Sequence, residues 1–111
     1  MKLNIASNIN DFLASHKDEA LAQIKIDYPN PLYKGLFSFF IVSDKVMLPK
    51  TFYKELQKKL GYKLLMNNTS GSSISIAGEK KVIVKDYDSE LTLFIKFAKK
   101  YSCKIVSFNF A

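Results

Sequence analysis

GLFSFFIVS, residues 35–43, is the stretch on which the fold turns: nine residues, nearly all apolar, aromatic or β-branched. A run so short and so apolar reads as a strand, and its lack of polar alternation predicts a central strand buried on both faces. The rest of the chain must then supply its neighbours and its cover.

Upstream lies YPNP, residues 28–31, whose two prolines exclude helix, so residues 28–34 read as a linker. Before it, SNINDFLASHKDEALAQIK sets Ile9, Phe12, Leu13, Ala20, Leu21 and Ile24 at the spacing of one helical face. Ser7 or Asn8 caps this predicted helix, which ends near Asp27. Downstream, Asp44-Lys45 make a turn and Val46–Leu48 add a short extended segment. Pro49 then opens a helix over TFYKELQKKL, with Phe52, Leu56 and Leu60 on one side and Gly61 as its stop.

YKLLMN (62–67), SSISIAG (72–78) and KKVIVKD (80–86) read as three strands, the last two joined tightly through Ala77, Gly78 and Glu79. Asp88 caps the next helix, whose apolar set Leu91, Leu93, Phe94, Ile95, Phe97, Ala98 and Tyr101 covers more than half its circumference. CKIVSFNF (103–110) closes the chain as a strand with Val106, Phe108 and Phe110 on one face. After the first helix, the order resembles a βαββαβ split unit. The expected class is therefore α+β: an N-terminal helix (1–27), a linker (28–34) and a ferredoxin-like α/β sandwich (35–111), with an antiparallel sheet and two helices on one face. The resemblance is one of element order and points to no named family.

A chain of 111 residues, 48% hydrophobic and 14% aromatic, has apolar side chains for one core and one domain, 1–111. MKLNIASNIN lacks the apolar core of a signal peptide, and no window approaches the roughly 18 apolar residues of a membrane helix. The single cysteine, Cys103, excludes an internal disulfide and fits a reducing compartment. The expectation is a cytoplasmic protein with no membrane partner.

All seventeen basic residues are lysine, against ten acids, for a formal charge of +7. The positive excess lies in residues 31–111, with fourteen lysines and six acids. Such a field attracts nucleic acid or acidic proteins. A genome rich in A and T also encodes Lys in preference to Arg, so the charge has a second possible source. Without arginine, the rigid fork that reads guanine or clasps a phosphate is missing, and nucleic-acid contacts should carry little base specificity.

Few patterns suggest catalysis. NNTSGSS (67–73) has one glycine, no lysine before Lys80 and a strand after it, which describes a hairpin loop and not a phosphate-cradling loop opening a helix. Asp86, Asp88 and Glu90 alternate as hard-cation ligands sometimes do, but a helix cap and first turn already account for Asp88 and Glu90. His16, on the first helix's apolar stripe, and Cys103 are too few for a zinc site and read as structural. An enzymatic reading survives only through Ser, Tyr, Lys and Asp, which do chemistry without a motif; no catalytic residue, metal or cofactor is assigned.

The lysines form the constellation worth following. Lys50, Lys54 and Lys58 recur every fourth residue of the middle helix, Lys96, Lys99 and Lys100 share the polar side of the last helix, and Lys80, Lys81 and Lys85 flank a hairpin. An RNA-recognition motif is disfavoured, because the phenylalanines of 36–43 read as core and the N-terminal helix has the open sheet face as an obvious seat. Residues 51–101 also follow the αβββα order of a double-stranded RNA-binding domain, yet DSELTLF stands where that family has a basic helix start. The expected function is a small non-catalytic nucleic-acid-associated protein that sets this lysine-rich face, rimmed by Lys80, Lys81 and Lys85, on phosphates. The alternative is a protein-interaction module, an inhibitor or adaptor that binds an acidic partner or forms a homodimer.

Overall fold

The apolar stretch forms β2, Lys34–Ser43, in the middle of an antiparallel sheet. The computed structural model describes residues 2–4, 9–45 and 47–111, with side chains from residue 18 onward. The protein is an α+β fold. Its other elements are β1 (Lys2–Asn4), α1 (Ile9–Asp27), α2 (Lys50–Lys54), β3 (Lys63–Ser70), β4 (Ser73–Ile83), α3 (Tyr87–Lys100) and β5 (Lys104–Phe110). The strands lie in the order β1-β5-β2-β4-β3, every neighbouring pair antiparallel. A strand thus precedes the N-terminal helix, and the sheet has an edge strand that the reading of residues 1–27 as helix alone did not include. The predicted caps Ser7 and Asn8 lie outside the described residues.

Among the described residues, only one face of β2 is covered. Phe37, Phe39 and Ile41 are buried, whereas Leu36, Ser38, Phe40 and Val42 are half-exposed, so the expectation of burial on both faces is corrected. The reason is the seat of α1, which packs against α3 and β5 on the helical side instead of crossing the open sheet. Its Ala20 and Ile24 are buried there. The core between sheet and helices is aromatic: Phe39 meets Phe94 at 4.7 Å, Phe52 meets Phe97 at 4.9 Å, and Phe37 stacks on Phe108 at 6.0 Å. Each such ring, fully buried, contributes about 1.5–3 kcal/mol of apolar transfer.

Two strands, not three, fill residues 62–86. β4 runs unbroken for 11 residues through Ala77, Gly78 and Glu79. Gly78 is not a turn: an ideal Cβ there would lie 2.7 Å from Phe39 Cε2 and 3.0 Å from the Lys63 carbonyl, so glycine allows the core ring to lie against the strand. The hairpin is likewise tighter than NNTSGSS suggested. β3 continues to Ser70, which pairs with Ser73, leaving a two-residue turn with Gly71 at φ 61°, the sign that the first position of a primed turn requires.

Three boundaries also differ. The segment before α3 is a 3₁₀ turn, Val84–Asp86, so Asp86 occupies the cap position and Asp88 the first turn. In β5 a bulge opposite Phe40 and Ile41 shifts the alternation, so Ile105, Phe108 and Phe110 are buried while Val106 is half-exposed. Residues 28–33 are tied down: Val84 N–H donates to the Tyr33 carbonyl and Lys85 N–H to that of Pro31, while Tyr28 and Tyr33 stack at 4.8 Å beside Phe110. Of the segment 46–48, Val46 lies outside the described residues; Leu48 is buried without strand pairing.

Candidate nucleic-acid interface

α2 follows Pro49, whose fixed φ suits a helix start, and buries Phe52. Its last turn is not α-helical. Glu55–Lys59 form a π-turn, closed by Leu60 N–H donating to the Glu55 carbonyl at 2.9 Å. An i→i+5 turn brings the residue five places on back over its starting side, where an α-turn brings the fourth. Lys54, Lys58 and Lys59 consequently line one shallow depression together with Thr51 and Glu55. An α-helical projection places Lys59 about 140° from Lys54, which is why spacing in the sequence did not select it.

Glu55 joins this cluster to α3. Its carboxylate accepts a hydrogen bond from Lys100 Nζ at 2.8 Å, and that bond holds the Lys100 ammonium charged above its ordinary range. Phe52 packs on both Phe97 and Tyr101, so the two helices are held together beneath the bridge. Lys96 and Lys99 are exposed on α3, and Lys50, Lys54, Lys58 and Lys59 on α2 and its π-turn.

The other three predicted lysines go elsewhere. Successive strand residues point to opposite faces. Lys80 accordingly turns to the helical side, where it pairs with nearly buried Glu90 and stands 5.5 Å over the Tyr62 ring. Lys81 faces the open sheet, directly across from Leu36. Lys85 is exposed in the 3₁₀ turn. The hairpin they were expected to flank is continuous strand and turn.

Burial favours the neutral forms of three groups beneath the helices, Tyr62, Tyr87 and Cys103. Among the described residues no hydrogen-bond partner in bonding geometry meets the buried hydroxyls of Tyr62 and Tyr87, and burial raises both phenols well above their ordinary range, with the Glu90 carboxylate adding to it at Tyr62. Burial pushes the Cys103 thiol up to about 11, against the opposing charge of Lys45. A thiol so placed is a poor nucleophile at neutral pH. Asp86 and Asp88 are exposed while Glu90 turns inward to Lys80, and among the described residues no three His, Cys, Asp or Glu converge to hold a metal. The His16 side chain lies outside the described residues.

Opposite the helices is a second surface that the sequence pattern does not reveal. Phe40 stands at its centre between Ala77 of β4 and Ser107 of β5, with Ser38, Asn109 and Leu65 around a shallow depression. Phe39 and Phe40 are adjacent apolar residues, so composition alone does not show that they face opposite ways. No protein-family model matches the chain, and no curated protein sequence matches it.

Proposed function

We propose that this is a small non-catalytic nucleic-acid-associated protein whose α2–α3 surface contacts phosphate backbone. The observation that supports the reading is the Glu55–Lys100 bridge, which ties α3, where Lys96 and Lys99 are exposed, to the turn that gathers Lys54, Lys58 and Lys59. Lysine ammoniums are point charges on flexible stems, suited to sequence-tolerant phosphate contact. Lys50 extends the surface, Lys85 stands apart from it, and Lys80 is neutralised by Glu90. We read β2, α2, β3, β4, α3 and β5 as a ferredoxin-like unit; the sheet order β5-β2-β4-β3 supports this. A cytoplasmic location follows from the same reading, with the one thiol reduced and buried. No helix among the described residues is long and apolar enough to cross a membrane.

The test is titration of a labelled random-sequence duplex between about 50 and 200 mM salt. Five phosphate contacts give a slope of log K on log salt near −4.5. Reversing Lys54, Lys58, Lys96 and Lys99 to Glu should abolish duplex binding while leaving the circular dichroism spectrum unchanged. Undiminished affinity in that variant, or no affinity of the wild type at low salt, overturns the proposal.

The second reading is a protein-interaction module, an inhibitor or adaptor that binds an acidic partner or itself. It is favoured by Ile26, Leu32 and Met47, which stand 71%, 65% and 80% exposed. Sedimentation of the purified chain would show a dimer if they serve self-association.

A further inference from the structure

The geometry points to the uncovered sheet face as the seat of an unpaired nucleic-acid strand, on the side of the molecule away from α2 and α3. This inference deepens the nucleic-acid reading and rests on it. Among the described residues nothing covers the face, because α1 lies with α3 on the other side. Its central row runs Ser107–Phe40–Ala77–Met66 across four strands, and the next runs Asn109–Ser38–Glu79–Lys63. Phe40 is half-buried and its cross-strand neighbours, Ala77 and Ser107, are small, which leaves ring surface free for contact.

The rim is cationic. Lys34, Lys63, Lys81 and Lys104 are exposed at register positions of this face, against the single carboxylate of Glu79. With strands about 4.8 Å apart and residues rising about 3.4 Å, their Cα positions lie about 8–20 Å from that of Phe40. They therefore surround the ring without crowding it, as phosphates along a strand would require.

Three features select the occupant. A second copy would set one lysine rim against another, which is electrostatically unfavourable. A duplex hides the faces of its bases in the stack and offers Phe40 nothing to stack on. An unpaired strand presents base faces to the ring, phosphates to the lysines, and base edges to the uncharged groups of Ser38, Ser107 and Asn109. With one aromatic ring and no arginine, the site should tolerate many sequences.

The experiment uses the whole chain and a labelled unpaired RNA oligonucleotide of mixed sequence, alone and annealed to its complement. Phe40→Ala should weaken binding of the unpaired strand at least about fivefold while leaving duplex binding unchanged, and Phe40→Tyr, which keeps a ring and guards against misfolding, should restore it. Ultraviolet crosslinks to the unpaired strand should fall within residues 34–43. No binding of the unpaired strand by the wild type, equal affinity of Phe40→Ala and wild type, or crosslinks confined to α2 and α3 would each overturn the inference. If the lysine-to-glutamate variant alone lost unpaired-strand binding, the helical surface would stand and this site would fall. If the wild type bound no duplex yet kept Phe40-dependent strand binding, this site would stand and the helical surface would fall.

Discussion

Replacing Gly78 by alanine tests whether the middle of β4 is packed strand, as the structure has it, or a flexible joint between two strands. The added methyl would lie 2.7 and 2.8 Å from Cε2 and Cζ of Phe39 and 3.0 Å from the Lys63 carbonyl oxygen. Neither neighbour yields easily. Phe39 is 4% exposed and held by Phe94 and Tyr62 at 4.7 and 5.2 Å, while the carbonyl belongs to the adjoining strand. Overpacking of this kind costs about 1–3 kcal/mol. Alanine offsets about 0.5–1 kcal/mol of that by its smaller backbone entropy loss in a strand. The net loss is about 1–2 kcal/mol. A chain of 111 residues has an unfolding entropy near 0.23 kcal/mol/K, so Tm should fall by about 4–9 °C. Thermal unfolding of Gly78→Ala, Phe39→Leu and the double variant should show coupling of at least about 0.5 kcal/mol, because leucine removes the ring that the methyl strikes. An unchanged or raised Tm for Gly78→Ala, or strict additivity, would refute the packing argument.

Three other perturbations follow from the same structure. Lys80→Met strands the Glu90 carboxylate, 11% exposed, beside Tyr62; chemical denaturation should show a loss of about 2 kcal/mol, much of it recovered in Lys80→Met/Glu90→Leu. The Cys103 thiol is raised by burial from its ordinary value of 9 to about 11, so its contribution is complete below pH 9 and fades as pH rises to 11. The unfolding free energy from urea titrations should fall across that window by roughly 2 kcal/mol at most, less so in Cys103→Ala, with Tyr62 and Tyr87 adding to the alkaline loss above pH 10. Ser102 carries a φ of 55° at the end of α3, where Cys103 N–H donates to the Ala98 carbonyl and Ser102 N–H to that of Lys99, the bonding of a Schellman cap. Ser102→Gly should therefore raise stability by about 1 kcal/mol, read as a Tm increase near 4 °C.

The candidate site was partly legible because its lysines obey a local rule. Residues four apart share a helical face whatever packs beneath, so Lys54 and Lys58 were placed together from spacing alone. Lys59 was not, because the π-turn that brings it round is a departure from the regular period. Lys80 and Lys81 were treated as one cluster, yet the alternation of a continuous strand sends them to opposite sides of the sheet. Glu90 and Tyr62 became neighbours of Lys80 only through folding, since nothing in their spacing relates them.

By itself the sequence determined the three helices and the central and last strands, since apolar period, proline and glycine act over a few residues, but not β1 or the continuity of β4. GLFSFFIVS was bound to be a strand, and the lysine excess was bound to make the surface cationic. Only the tertiary structure decided that Gly78 lies under a core ring and not in a turn, that α1 joins the helical layer, and that Phe40 is left on an uncovered face. Those outcomes depend on which distant surfaces bury one another. A nine-residue apolar run is equally content with one covered face or two, and the choice was made by where α1, beyond the two prolines that separate it from β2, came to rest: against α3 and β5.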